Sequence, residues 1–233
     1  VPEAGRLVLV ATPLGNLGDL SPRAREALES SDAWVVEDTR VSGKLQVILG
    51  VRKPMSTLND HTSPAHVQTL VASLLDGRNL ALLTDAGTPG ISDPGAELVD
   101  LCYQSEIPVD SIPGPSAVPL ALSLSGFYAQ RFAFLGFLPR KPGEAKSVLA
   151  PFVDSTLALV IFESPFRFRK TLELLAAVLP GRRYAVTREL TKQHQQVFRE
   201  TFPGLPSLKD VPDKGEFTLV VEGMRRRVNR EEI

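Results

Sequence analysis

Residues 80–95, Leu80-Ala-Leu-Leu-Thr-Asp85-Ala-Gly-Thr-Pro-Gly90-Ile-Ser-Asp93-Pro-Gly95, decide the fold. Leu80 to Thr84 is an apolar run that breaks abruptly into the turn Asp85-Ala86-Gly87-Thr88-Pro89-Gly90. A second acidic turn, Asp93-Pro94-Gly95, begins eight residues after the first acid. A short apolar run bounded by turn residues reads as a buried strand. In α/β proteins, ligands bind beyond the carboxyl ends of such strands. Glycine lets backbone approach a ligand closely, and Asp accepts hydrogen bonds from hydroxyls or an ammonium. Taken alone, the turn reads first as a rigid connection, and its neighbours are what favour a ligand.

Those neighbours repeat the pattern. Arg6 to Ala11 is a short strand ending in Thr12-Pro13-Leu14-Gly15-Asn16-Leu17-Gly18-Asp19. Ser21-Pro22 starts a helix to about Glu29, with Ser as cap and Pro in the first turn. Ala33–Val36 is a second strand, ending at Glu37-Asp38-Thr39-Arg40, and a helix follows to Leu49. Met55–Leu58 leads to Asn59-Asp60-His61-Thr62, and Ser63-Pro64 opens a helix to Leu75. After the 80–95 stretch come a helix from Ala96 to Ser105 and a strand over Val109–Ile112. Strand alternating with helix implies a mostly parallel sheet covered on both faces. In such a sheet the four polar strand ends crowd one edge.

Pro113-Gly114-Pro115-Ser116 reads as a stiff linker, dividing the chain into domains 1–114 and 115–233. A small-residue helix, Ala117–Ser125, follows it. The second half has strands near 132–137, 157–162, 184–186, 196–200 and 217–222, and helices near 143–153, 166–179 and 206–210. Several strands have no helix between them, so a mixed sheet is expected.

At 233 residues, with 43% hydrophobic and 23% charged residues, the composition is that of a soluble globular protein. No apolar run reaches the 18 residues of a spanning helix, and no secretory leader is apparent, so a cytoplasmic protein without a membrane partner is expected. The lone Cys102 excludes an internal disulfide or a multi-cysteine zinc site and reads as a core residue. Net charge is −1 but uneven. Residues 1–115 carry 8 Lys and Arg against 15 Asp and Glu, and residues 116–233 carry 18 against 12. The basic half, including Arg225, Arg226, Arg227 and Arg230, suggests a polyanionic partner.

The loops exclude several chemistries. Thr12–Leu17 is neither a P-loop nor a GxGxxG turn. Asp19, Asp38, Asp85 and Asp93 suit a ligand with hydroxyls and positive charge, and suit a triphosphate only with a metal; no metal set is read. Ser164 does not lie in a GxSxG elbow, and no nucleophilic triad is present. His66 reads as a surface residue, and His61 is placed to contact a ligand. In the second half, Arg167 and the Arg188-Glu189-Leu190-Thr191-Lys192 turn follow strands, where phosphate contacts are favoured. Arg169, Lys170, Arg182 and Arg183 read as solvated charge.

Eight strings stand in order: TPLGNL, EDTR, DAGTPGISDPG, PGPSA, FLGFLPRK, ESPFR, RELTK and GEFTLVVEG. Together, over residues 6–223, they resemble the ribosomal RNA small subunit methyltransferase I family. That family belongs to the tetrapyrrole methylase-like, class III S-adenosylmethionine-dependent methyltransferases. The resemblance implies a two-domain α/β fold with a mostly parallel N-terminal sheet, a mixed C-terminal sheet and the cofactor in the cleft between them. It implies a homodimer that 2′-O-methylates a cytidine ribose in the decoding region of 16S rRNA within the 30S subunit. Carried over by motif, the S-adenosylmethionine contacts are Pro13, Asp85, Gly87, Ile91, Asp93, Ser116, Ala117, Phe162, Leu190 and Gly215. Candidates beside the nucleophile are Glu189, Glu163, Asp38 and Lys192, among which the sequence does not choose. Candidates for RNA contact are Arg40, His61, Arg167, Arg188 and Lys192. Two departures stand out: Phe166 replaces the usual His of ESPHR, and family members often carry a further C-terminal helical extension. The rival readings are a methylase of a porphyrin-like small molecule and a non-catalytic RNA-binding module.

Overall fold

A computed structural model describes residues 3–225; Arg226, Arg227 and Arg230 lie outside the described residues. The chain forms two compact units that meet in sequence at Ser116/Ala117.

The first unit alternates strictly: β1 (Leu7–Val10), α1 (Pro22–Ser30), β2 (Ala33–Val36), α2 (Thr39–Leu49), β3 (Met55–Thr57), α3 (Pro64–Leu75), β4 (Leu80–Leu83), α4 (Ala96–Gln104) and β5 (Val109–Ile112). The strands make one parallel sheet in the order β3-β2-β4-β1-β5. Alternate side chains leave opposite faces, which is why β2 and β4 are apolar throughout. Ala33, Val35, Leu80 and Leu82 pack with α3 and α4 through Val67, Leu70, Leu74, Leu98 and Cys102. Trp34, Val36, Ala81 and Leu83 pack with α1 and α2 through Ala24, Leu28 and Leu49. Helix starts follow the sequence closely: Ser21 and Ser63 cap α1 and α3, accepting from Ala24 N–H and His66 N–H, with Pro in the first turn.

Because α1 and α4 cover opposite faces, the loops leaving β1 and β4 diverge. The adjacent β1 and β4 therefore flank the topological switch point, where an open parallel sheet leaves a crevice at its carboxyl edge.

The second unit begins with α5 (Ala117–Ser125) and continues through β6 (Phe132–Phe137), α6 (Pro142–Leu149), β7 (Ala158–Glu163), α7 (Phe168–Val178), β8 (Arg183–Arg188), β9 (Gln196–Thr201) and β10 (Phe217–Val221). Its sheet runs β6-β7-β10-β8-β9, with β6 and β7 parallel and every other pair antiparallel. One face is packed by α6 and α7 through Leu149, Phe168, Leu172 and Leu175. Phe168 stacks on Phe217 and Tyr184 on Phe202 at centroid distances of 4.3 and 4.2 Å.

Three expectations are corrected. Residues 206–210 form a turn and no helix; five residues rarely repay helix nucleation, and the Asp210 carboxylate accepts from Ser207 N–H instead. His66 is half-buried, with its Nε2 enclosed and unpartnered among the described residues. Arg169, Arg182 and Arg183 are not free solvated charges. Arg169 holds Asp213 at 2.7 Å and the carbonyls of Pro206 and Val211. Arg182 is buried and donates to the carbonyls of Phe152, Val153 and Ser155 at 2.7–3.0 Å. Arg183 pairs with Glu222 at 2.5 Å.

Candidate active site

At the switch point the loops leaving β1 and β4 are stitched together by backbone. Thr12 N–H donates to Gly87 carbonyl at 2.9 Å and Gly87 N–H to Thr12 carbonyl at 3.0 Å. Thr12 Oγ1 adds a bond to Thr84 carbonyl at 3.0 Å. Thr88 Oγ1 reaches Pro115 carbonyl at 3.1 Å, tying in the linker after β5. Gly87 has φ +91°, a left-handed conformation that a β-carbon resists, and its missing side chain leaves space against Leu14. The bridge places Pro13, Asp85 and Gly87 together. Ile91 and Asp93 follow on the same loop, Ile91 with its side chain exposed. Ser116 ends the linker that Thr88 holds.

Burial and like charge raise the carboxylates here, and Arg40 offsets only part of the rise at Asp85. Asp93 is pushed up to about 6, first by burial and then by the charge of Glu37. The neighbouring Thr84 hydroxyl offsets part of that rise, although it makes no hydrogen bond of good geometry. Glu37 and Asp85 are also raised, by burial and then by Asp85 and Asp38 respectively. Thr84 Oγ1 and Ser42 Oγ are both buried and unpartnered among the described residues, and both line an apolar pocket of about 180 Å³ with Thr12, Leu17, Val41 and Ile48. Buried hydroxyls normally find partners, so two orphans beside unneutralised acids mark a place shaped for a polar ligand. Pattern reading missed both, because Ser42 sits inside a helix and Thr84 at the end of an apolar strand.

Asp38 behaves differently. It caps α2, accepting from Arg40 N–H at 2.8 Å, and pairs with the Arg40 guanidinium at 2.5 Å. These bonds hold its carboxyl down at about 2, so it is a weak proton acceptor. Arg40, 87% exposed, stands in the first turn of α2, and His61 lies on the loop after β3. Asp19 is exposed at the end of a single 3-10 turn.

The second unit carries its own strand-end cluster. Glu163, at the end of β7, is enclosed. Its Oε1 accepts from Ser164 N–H at 2.8 Å, and its Oε2 accepts from Thr171 Oγ1 at 2.5 Å and lies 3.4 Å from Arg167. Arg167 also donates to Leu138 carbonyl at 2.7 Å. This pair braces the turn from β7 into α7. Phe162 meets Phe134 edge-on at 4.8 Å, while Phe166 is 95% exposed.

After β8, Glu189 and Thr191 both take positive φ, +52° and +66°. Non-glycine residues rarely do so, and such strain concentrates at functional sites. The turn is held by Glu189 Oε1, which accepts from Glu216 N–H at 2.9 Å and Lys192 Nζ at 3.1 Å. Lys192 also reaches Glu216 at 3.0 Å. Burial alone would raise the Glu189 carboxyl, but these donors pull it below its ordinary value. Burial works to lower Lys192, and the two carboxylates outweigh it and raise it. Gly215, at φ +98°, lies so close that a β-carbon would meet the Glu189 carboxylate at 2.6 Å. Leu190 is buried in the same turn, and Arg188 donates to the carbonyls of Lys214 and His194. Ala117 opens α5. Among the described residues, no group of three or more His, Cys, Asp or Glu is placed to hold a metal ion, and no helix is long and apolar enough to cross a membrane.

Sheet order, switch-point loops and the mixed second sheet together define an α/β protein of the tetrapyrrole methylase class. The Tetrapyrrole (Corrin/Porphyrin) Methylases family matches residues 6–206. Among solved structures, the methyltransferase CobJ has a TM-score of 0.69 at 17% identity, covering 96% of this chain and 97% of that one. Uroporphyrin-III-C-methyltransferase from Thermus thermophilus has a TM-score of 0.66 at 21% identity, covering 94% of each chain.

Within that class the chain belongs to the ribosomal RNA small subunit methyltransferase I family. It is 42% identical to the member from Synechocystis sp. over 94% of this chain and 79% of that protein. It is 42% identical to the member from Haemophilus influenzae over 98% and 82%. The Thermotoga maritima member is 36% identical and is covered over 99% of its length, so the family includes chains without a long further extension.

Proposed function

We propose that this protein transfers a methyl group from S-adenosylmethionine to the ribose 2′-hydroxyl of a cytidine in 16S rRNA within the 30S subunit. One observation carries the reading: the Thr12–Gly87 bridge at the switch point stands intact in a chain 36–42% identical to proteins named ribosomal RNA small subunit methyltransferase I. The same reading makes the protein a homodimer in solution.

The residues present fit the cofactor. Asp85 and Asp93 supply acceptors for hydroxyls and an ammonium. The bridged backbone at Gly87 permits close approach, and Leu14, Pro13 and Ile91 supply apolar contact. Bound S-adenosylmethionine provides an electrophilic methyl on a sulfonium. A carboxylate against that sulfonium would stabilise the ground state more than the transition state, which assigns Asp85 and Asp93 to the hydroxyls and ammonium. Most of the rate enhancement then comes from positioning the ribose.

The proton-acceptor candidates separate by environment. Glu163 is enclosed with its oxygens engaged and serves as a brace. Asp38 is too acidic to be an effective base. Glu189 and Lys192 remain, on a strained and partly exposed turn. Lys192 stays charged there and offers a donor to the phosphate or to oxygen developing negative charge. Arg188 and Arg40 are the further cations for the RNA backbone.

The test is calorimetric titration with S-adenosylmethionine, then tritiated methyl transfer to 30S subunits lacking the modification. Binding followed by label in one cytidine ribose supports the reading. Binding without transfer to 30S overturns the substrate, and absence of binding overturns the enzyme in favour of an RNA-binding module.

A further inference from the structure

The second unit holds a cavity of about 880 Å³ at the sheet edge opposite the Glu163 and Glu189 turns. It is lined by the end of α5 (Gly126, Phe127, Tyr128), by Gln130 and Arg131 before β6, by Arg183 at the start of β8, and by Glu222 to Arg225 after β10. Arg183 and Arg188 cap opposite ends of the same strand, roughly 17 Å apart at the usual strand rise. None of these residues belongs to the strand-end loops that hold the proposed chemistry.

The groove has a surplus of cations. Glu222 is its one acid among the described lining residues, and it is buried. One guanidinium would neutralise it, yet both Arg183 at 2.5 Å and Arg225 at 3.2 Å pair with it. Arg131 lines the groove and Arg199 borders it from β9; both are exposed, and neither has an ion pair among the described residues. Arg183 and Arg199 lie over the Phe127 ring at 5.0 and 5.1 Å from its centroid, within cation–π reach. Beside them Tyr128 stands 72% exposed. A cluster of guanidinium groups next to an exposed aromatic ring is the chemistry that holds single-stranded nucleic acid, through phosphate contacts and base stacking.

We propose that this groove docks a single-stranded segment of the ribosomal RNA substrate, away from the nucleotide being methylated; this rests on the RNA reading above. Arg131 and Arg199 contact phosphates, Arg183 and Arg225 supply the field, and Tyr128 stacks a base. The groove therefore sets affinity for the RNA and leaves the chemical step alone.

The test compares the full-length protein with Arg131→Glu/Arg199→Glu and with Tyr128→Ala, using tritiated transfer to unmodified 30S subunits and filter binding to protein-free 16S rRNA. Arg183 is left in place, because it makes the shorter, bidentate pair with the buried Glu222. The double variant is expected to raise KM for 30S about tenfold or more, with kcat within twofold and S-adenosylmethionine affinity unchanged. The slope of log affinity against log salt should fall by about 1.5, since each lost phosphate contact removes about 0.7–0.9. Tyr128→Ala should raise KM about fivefold, as expected for one lost stack. Arg131→Gln/Arg199→Gln repeats the test should the reversal disturb folding, and should show a smaller change in the same direction. Unchanged KM and salt slope in a folded variant would overturn the groove while leaving methyl transfer intact. A defect with 30S but none with protein-free RNA would overturn it in favour of a ribosomal protein partner. A wild-type protein that transfers nothing to 30S would fail the underlying reading, and the groove with it.

Discussion

The carboxyl-edge loops of the two units use the same residue types in opposite electrostatic states. In the first unit the half-buried Glu37 and Asp93 lie near the more exposed Asp85; Arg40 offsets only part of the rise at Asp85, and all three are raised. In the second, Glu189 is also partly buried but is lowered, because Glu216 N–H and Lys192 donate to it. Burial raises a carboxyl in both places; whether a donor is present decides the sign. The first edge is left with unmet acceptors for a ligand, and the second has met its own and presents the cations that held it. On the proposed reading, the hydroxyls and ammonium of the cofactor go to the first edge and the RNA phosphates to the second.

The contrast breaks most severely at Glu163, the most completely satisfied acid. Glu163→Ala removes the acceptor for Ser164 N–H and Thr171 Oγ1 and the partner of Arg167. A stability loss of about 3 kcal/mol is expected in urea melts. A loss under 1 kcal/mol would mean that the brace is dispensable. The next largest effect falls on the first edge. Gly87→Val places a branched side chain at φ +91° and loosens the bridge to Thr12. S-adenosylmethionine affinity, measured by calorimetry, should fall at least tenfold; unchanged affinity would remove the bridge from the site.

The opposite pKa shifts predict opposite responses to acid. Asp93 rises from 3.8 to about 6, so the folded state holds its proton more tightly than the unfolded chain. Its ionisation therefore costs stability progressively as pH rises from about 4 to 6, by on the order of 1 kcal/mol after solvent screening. Glu189 and Glu222 are lowered, so their stabilisation is complete above 4.5 and is lost as pH falls through their folded values. Trp34, the single tryptophan, is buried in the first unit and reports that unit's unfolding. Asp93→Asn should flatten the pH 4–6 slope seen by Trp34 fluorescence; a slope equal to wild type would show that Asp93 ionises freely. The smallest effect belongs to Phe166→His. That side chain touches almost nothing, so stability should shift by less than about 0.5 kcal/mol. An unchanged pH–rate profile would confirm that this position plays no acid–base part, whereas a new titrating limb would assign it one.

Much of this was legible in the chain. Apolar runs ending in Thr12-Pro13, Glu37-Asp38 and Thr84-Asp85 marked strands and their polar ends, and Ser21-Pro22 and Ser63-Pro64 marked helix starts. Adjacent strands without helices between them announced the mixed second sheet. Residues 206–210 misled because their turn-forming composition also suits a short helix. Arg182 misled because an arginine beside another in a basic half looks solvated, while the carbonyls that bury it come from 27 to 30 residues away.

The sequence by itself determined where strands and helices begin and end, and that polar turns fall at one end of the parallel strands. Those features depend on neighbours within a few positions, through side-chain periodicity, caps and turn residues. Only the tertiary structure decided which acids stay unmet. The state of Asp93 depends on Glu37, and that of Glu189 on Glu216, and the Thr12–Gly87 bridge spans 75 residues. Charge and hydrogen bonding act through space over a few ångströms, and the spacing of residues along the chain does not fix which groups come within that reach.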